Sequence, residues 1–208
     1  MAAAPQTDRV PDDELLTRVA AGDAPAFTEL FRRRQPEVFR FAVHMTGSVA
    51  TSEDVVQEVF LAVMRDAARY ERGRATVAAW LCGIARNCVR QRLDRDRRLT
   101  TVDFGDDRAP GPDDAAPLDP LTDLLRAERI DLLRRAVQTL PVAYREAVVL
   151  CDLQEMPYRD AAEVIGCPVG TVRSRLHRAR AMLAERLSVS SRSPVACVMT
   201  EGAIHVLP

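Results

Sequence analysis

Apolar residues recur every three or four positions along most of this chain, a spacing that predicts helices, and no stretch carries a competing strand signal. Asp12 and Asp13 stand ahead of Leu15, Leu16 and Val19, the mark of a short helix with acid in its first turn, broken at Gly22-Asp23. A second helix starts at about Ala24 and buries Phe27, Leu30 and Phe31. Pro36 interrupts or kinks it, and Val38, Phe39, Ala42 and Met45 continue the spacing as far as Gly47. A third runs from about Thr51 to Arg69, capped by Thr51 or Ser52, with Val55, Val56, Val59, Phe60 and Val63 as its stripe. The fourth, Thr76 to about Arg98, turns Val77, Trp80, Leu81, Ile84, Ala85 and Cys88 inward and its Arg side outward.

The periodicity then stops. Residues 99–120 hold Pro110, Pro112, Pro117 and Pro120 among Gly and Asp, an extended, self-repelling tether. It resumes with Leu124, Leu125, Ile130, Leu132, Leu133, Val137 and Leu140, a helix that stops before Pro141. Ala143 to Leu153 forms another. Pro157 opens a third, Gly166 closes it, and Pro168 lies in the first turn of a last helix reaching about Leu187. The expected fold is all-α: two small helical domains, 12–98 and 121–187, joined by a flexible acidic linker, with tails at 1–11 and 188–208.

Charge changes this picture more than composition does. The net charge of -1 hides a division, and every base in the chain apart from three His is Arg. Arg86, Arg90, Arg92, Arg95, Arg97 and Arg98 crowd the end of the fourth helix, and Arg173, Arg175, Arg178, Arg180 and Arg186 the last one. The stretch 103–123 between them is rich in Asp. Two cationic patches flanking an acidic strip point to a polyanion held at two places. A solvated helix face is the competing reading for either patch alone.

The five cysteines form no CxxC pair, and His44, His177 and His205 complete no zinc spacing, so neither metal nor cofactor is predicted. An odd cysteine count with no secretory signal pattern places the chain in the reducing cytoplasm. No run approaches the roughly 20 apolar residues of a membrane helix.

Tyr158 to Leu187 has the form of a helix-turn-helix. Ala161, Ala162, Val164 and Ile165 pack the first helix, Gly166 makes the turn, and Val172, Leu176, Ala179 and Leu183 pin the second. Thr171, Arg173, Ser174, Arg175, His177 and Arg178 are left near its N-terminal face, where Arg reads guanine and Ser, Thr and Arg hold phosphates. A helical hairpin that binds no DNA is the alternative.

At these residues the chain resembles a known family. Gly170-Thr171-Val172-Arg173-Ser174-Arg175-Leu176-His177-Arg178-Ala179-Arg180 is similar to the region-four recognition motif of extracytoplasmic-function (ECF) sigma factors. Leu140-Pro141, Arg145 and Tyr158 to Ala162 fit the same region. Gly22-Asp23 with Ala26-Phe27, Glu53 to Phe60, and Trp80-Leu81 with Ile84 to Asn87 resemble sigma region two in order and spacing.

The resemblance implies a sigma factor that binds core RNA polymerase through the β′ clamp and β flap, reads promoter DNA, and is held by an anti-sigma factor. It assigns Asp54, Gln57 and Glu58, one polar face of the third helix, to core polymerase. Tyr70, Arg72, Arg74, Arg86, Asn87 and Arg90 fall to the minus-ten element, where an unstacked base is captured, and the Thr171–Arg178 set to the minus-thirty-five element. The apolar stripe favours a core place for Trp80. Family members often carry Trp where this chain has Met64, which reads as a core exchange, and Asp in place of Gln91. No catalytic residue is implied. A stand-alone helix-turn-helix regulator would leave the first domain's motifs without a task, and a small helical enzyme would need a convergent polar pocket that the sequence does not offer.

Overall fold

The computed structural model describes residues 10–99 and 130–192. The expected linker beyond Leu99, the stretch 121–129, and the expected tails apart from Val10, Pro11 and residues 188–192 lie outside the described residues. Among the described residues there are helices and no strand.

The N-terminal bundle consists of α1 (Asp12–Ala20), α2 (Ala24–Thr46), α3 (Val49–Asp66), a 3₁₀ turn at Ala67–Arg69, and α4 (Val77–Leu99). Asp23 caps α2, its side chain accepting from the Ala26 N–H at 3.0 Å. Pro36 sits inside α2 without ending it. α3 starts earlier than predicted because Ser48, not Thr51 or Ser52, caps it, accepting from the Thr51 N–H at 3.2 Å. Ser52 is buried and donates to the Ser48 carbonyl at 2.5 Å.

Leu16, Leu30, Val38, Phe41, Met45, Val55, Val59 and Leu81 are fully enclosed and form the centre of this bundle. Phe31, expected inside, is 37% exposed, edge-on to Phe60 at 4.7 Å between ring centroids. α1 is fastened to α2 by charge: the Asp12 carboxylate faces Arg33 at 3.0 Å and Arg34 at 2.5 Å.

The C-terminal bundle consists of α5 (residues 130–138), α6 (Val142–Val148), which widens into a π-helical turn at Val149–Leu153, α7 (Tyr158–Ile165) and α8 (Val169–Arg192). Val137, Leu140, Ala147, Leu150, Ala161, Val172, Leu176 and Ala179 are its core. Leu132 and Leu133, expected on the apolar stripe, are 38% and 37% exposed. α8 continues five residues past the predicted end at Leu187.

The two bundles pack directly on one another, α7 along α4 and α6 with the turn after it against α2. The His44 and Met45 carbonyls at the end of α2, which no helical N–H reaches, are satisfied across this seam, and the Val43 carbonyl, bonded already to the Gly47 N–H at 2.8 Å, gains a second donor there. Gln138 donates to the Val43 and His44 carbonyls at 3.2 and 2.7 Å, and Arg145 to the Met45 carbonyl at 2.6 Å. Gly47, at φ 77°, ends α2, and a side chain there would press on the Gln138 amide carbon at 3.3 Å. Gln154 donates to the Glu37 carbonyl at 2.9 Å and lies 3.5 Å from the Cys82 thiol. Thr76 donates to Asp160 at 3.0 Å.

His44 is half-buried beside this seam. Desolvation, reinforced by the Arg134 and Arg40 charges, lowers its pKa from 6.5 to about 4. The packed chain therefore refuses a proton that the unfolded chain accepts. Stability is complete above pH 6.5 and declines as pH falls from there toward 4. Carboxylates held low by Arg, such as Glu29 and Asp66, add their losses only at lower pH. Urea unfolding at pH 7 and pH 5 should show a drop in midpoint that His44→Gln reduces; an equal drop in both chains would contradict this origin.

Candidate nucleic-acid interface

α7 and α8 meet at a tight turn set by Gly166, whose φ of 71° is left-handed. The Gly166 and Cys167 N–H groups both donate to the Ala162 carbonyl, at 2.8 and 3.1 Å, closing the end of α7. Val172, Leu176, Ala179 and Leu183 are buried on one side of α8, as the spacing predicts. Arg173, Ser174, His177 and Arg178 are exposed on the other, with Thr171 and Arg175 half-buried at its edge.

Two contacts order this surface. The Arg173 guanidinium lies over the Tyr158 ring, 5.9 Å from its centroid. Arg180 makes a bidentate pair with Asp152, at 3.0 Å from Nε and 2.6 Å from Nη2. The Ser174 hydroxyl is parked on the Thr171 carbonyl at 3.0 Å.

The residues expected at the minus-ten element divide into two groups. Tyr70, Arg74 and Asn87 surround an open pocket of about 360 Å³ with Trp80. Trp80 is only partly buried, edge-on to Tyr70 with ring centroids 5.7 Å apart, so the core place expected for it is not the one it takes. The Tyr70 hydroxyl donates to Asp13 at 2.6 Å, with the Ala75 carbonyl at 2.8 Å. Burial and the Asp13 charge both raise its pKa, which keeps the phenol protonated. Arg72 lies 3.6 Å from Asp13, and Arg74 is paired with Glu71 at 3.2 Å.

Arg86 and Arg90 form the second group, and here the expected outward Arg face is corrected. The Arg86 side chain is 11% exposed and turned into the seam between the bundles, where its Nε donates to Glu146 at 2.8 Å. Arg90 Nε lies 3.6 Å from the same carboxylate. Sequence reasoning misses Glu146, which falls in an apolar run that gives no sign of a partner on α4. Glu163 and Val164 of α7, also unforeseen, complete the wall of the Tyr70 pocket.

Asp54, Gln57 and Glu58 share the exposed face of α3, as expected from their spacing. Arg92 of α4 braces the first and last, at 4.0 and 2.8 Å. Gln57 opens instead onto a groove with Phe31, Pro36 and Phe39. The face continues one and two turns on with Leu61 and Met64, which are 62% and 58% exposed. Met64 is therefore a surface residue and not the core exchange expected. The Cys82, Cys88 and Cys151 thiols are pushed up by burial, to about 12, 11 and 11, and pack as small apolar groups.

With this geometry in place, the comparisons with known proteins become specific. The family model for sigma-70 region 2 matches residues 30–99, and that for sigma-70, region 4 matches residues 130–183. The ECF RNA polymerase sigma factor SigM of Mycobacterium tuberculosis is 35% identical over 176 residues, covering 85% of this chain and 84% of the relative. SigE of Mycolicibacterium smegmatis, also an ECF sigma factor, is 33% identical over 177 residues; the match takes in 83% of this chain and 66% of that longer protein. Among solved structures, the sigma factor RpoE of Bartonella quintana, in complex with the anti-sigma factor NepR, aligns with a TM-score of 0.64 at 27% identity, over 78% of this chain and 97% of that one.

The turn between α7 and α8 is a place where one carbon atom decides the outcome. A Cβ on Gly166 meets nothing within 4 Å, so Gly166→Ala suffers only the left-handed backbone penalty, about 1–2 kcal/mol. Urea denaturation should register that loss, and an unchanged midpoint would show that the turn does not depend on glycine.

Proposed function

The chain belongs to the extracytoplasmic-function group of the sigma-70 family, and from that premise we propose that it recruits core RNA polymerase to promoters in two contacts. The observation that carries this reading is the N-terminal half of α8. Arg173, Ser174, His177 and Arg178 stand exposed on a helix whose opposite side is locked into the core by Val172, Leu176 and Ala179.

A helix so presented enters the major groove of the minus-thirty-five element, with its guanidinium groups on base edges and phosphates. The Tyr158 ring beneath Arg173 holds that side chain near its working position and limits the rotamer freedom it loses on binding. The pocket of Tyr70, Trp80 and Asn87 supplies aromatic faces and an amide for an unstacked base of the minus-ten element, with Arg74 on its wall and Arg72, exposed in the same loop, for backbone phosphates. Free energy for melting comes from holding the single strand, so the role requires neither a nucleotide cofactor nor covalent chemistry.

The exposed face of α3, Asp54, Gln57 and Glu58 followed by Leu61 and Met64, docks on the β′ clamp. Its acidic end suits Arg on the partner helix, and its apolar end supplies buried area. The C-terminal bundle is held by the β flap. RpoE of Bartonella quintana was solved with an anti-sigma factor bound, and we extend that mode of control to this chain, acting in the cytoplasm where polymerase and promoters lie.

Core polymerase plus this chain should give promoter-dependent run-off transcripts that core alone does not; failure to bind core in a pull-down would overturn the assignment and leave a stand-alone DNA-binding regulator. Arg173→Ala and Arg178→Ala should each weaken binding to minus-thirty-five duplex. An Arg that holds a phosphate should, when removed, lower the slope of log affinity against log salt by about one, as read by fluorescence anisotropy across a salt series. Weakening without a change of slope assigns that Arg to base reading.

A further inference from the structure

A carboxylate stands among the cations assigned to the minus-ten strand, and strand binding does not account for it. Asp13, in the first turn of α1, lies 3.6 Å from Arg72 with its side chain 35% exposed. Beside a polyanion a carboxylate on its own weakens binding. Its contacts suit a different task. One carboxylate oxygen accepts from the Tyr70 hydroxyl at 2.6 Å, and the other faces Arg72. The same hydroxyl lies 2.8 Å from the Ala75 carbonyl, at the far end of the loop. Between these ends Arg72 and Ala75 form an isolated bridge around a turn at Gly73 and Arg74. Asp13 can serve as a fixed post because its neighbours are locked. Asp12 is paired with Arg33 and Arg34, and Leu15 and Leu16 are buried in the bundle.

We propose that Asp13 is a positioning residue for the minus-ten pocket, holding Tyr70 by its hydroxyl so that the ring stands ready beside Trp80 to receive an unstacked base. The two rings already lie edge-on, 5.7 Å between centroids, and both line the pocket. Fixing an aromatic ring before the strand arrives removes an ordering cost from binding. The hydroxyl is committed to Asp13, so the base meets the ring of Tyr70 alone. Burial and the Asp13 charge keep the phenol protonated, and the donor is present at any pH the cell maintains. This inference rests on the minus-ten reading of the pocket.

The sign of the effect separates this role from plain charge. Wild type, Asp13→Ala, Asp13→Asn, Tyr70→Phe and the double variant Asp13→Ala with Tyr70→Phe are each loaded on core polymerase. Each is titrated with a labelled single-stranded oligonucleotide carrying the non-template minus-ten sequence of a promoter mapped by run-off transcription. Asp13→Ala should weaken binding by about threefold to tenfold, although it removes a negative charge beside the strand. Tyr70→Phe should do the same, and the double variant should lose no more than either single one. Asp13→Asn keeps an oxygen that accepts from the hydroxyl, and should hold affinity close to wild type. Trp80 is the chain's one tryptophan, so its emission in the free chain reports the pocket directly. Acrylamide quenching should rise in Asp13→Ala and not in Asp13→Asn. Tighter binding by Asp13→Ala, additive losses in the double variant, or equal losses in Asp13→Asn and Asp13→Ala overturn the positioning role. If Asp13→Ala fails to load on core, Tyr70→Phe decides, and wild-type affinity in that variant overturns it. Trp80→Ala tests the pocket itself. If it weakens binding while Asp13→Ala and Tyr70→Phe do not, the positioning role is wrong and the minus-ten reading stands. If no variant departs from wild type, Trp80→Ala included, both are overturned.

Discussion

A helix end must dispose of carbonyls that its own backbone cannot satisfy, and the end of α2 does so with side chains from a different bundle. Gln138 and Arg145 serve the carbonyls of His44 and Met45, Gln138 adds a second donor to the Val43 carbonyl that the Gly47 N–H already serves, and Arg145 also donates to the Gln138 and Leu140 carbonyls on its own side. A cation at this point is favoured twice, by the hydrogen bond and by the negative end of the helix dipole. α2 touches every other α-helix of its bundle, so fixing its end fixes the frame against which α4, α6 and α7 are positioned. Glu146 is tolerable in that frame only because Arg86 is delivered to it at 2.8 Å.

The chain's use of Arg to the exclusion of Lys suits this arrangement. A guanidinium keeps its charge at any pH the cell presents and donates along several directions at once. Arg145 uses this to join two helices and a turn, and Arg33 to hold the Val10 carbonyl, Asp12 and Glu29 together. The same fork is what binds DNA phosphates, which is why interior fastening and polyanion recognition are written in one residue type here and are hard to tell apart by composition.

That ambiguity marks where the sequence stops being readable. The helix-turn-helix is legible because burial on α8 follows its own period and Gly166 can be recognised as a turn residue without any partner. The polar face of α3 is legible for the same reason. Arg86 is not, since an Arg row on a helix looks the same whether it faces water or another domain, and Glu146 carries no local mark of the cation it meets sixty residues away. Trp80, Phe31 and Met64 fail in the opposite sense: type alone assigns large apolar side chains to the core, while the structure leaves them on the rims of a pocket, a groove and an open helix face. The cap of α3 is hard to place because Ser48, Thr51 and Ser52 are all competent, and the choice rests on tertiary packing that buries Ser52 against the Ser48 carbonyl and Thr46 and leaves Ser48 to cap.

The makeup of the seam has a consequence for how it holds. Its hydrogen-bonding members are Gln, Arg, Glu, Thr and Asp, while α4 also sets Ala79, Trp80 and Ile84 beside Val164 of α7 at the pocket. Water can replace each of these hydrogen bonds, but it cannot replace the burial of the apolar side chains, which belong to one core cluster that runs through both bundles. The polar pairs therefore set the register of the two bundles, and the apolar contacts beside them oppose their separation.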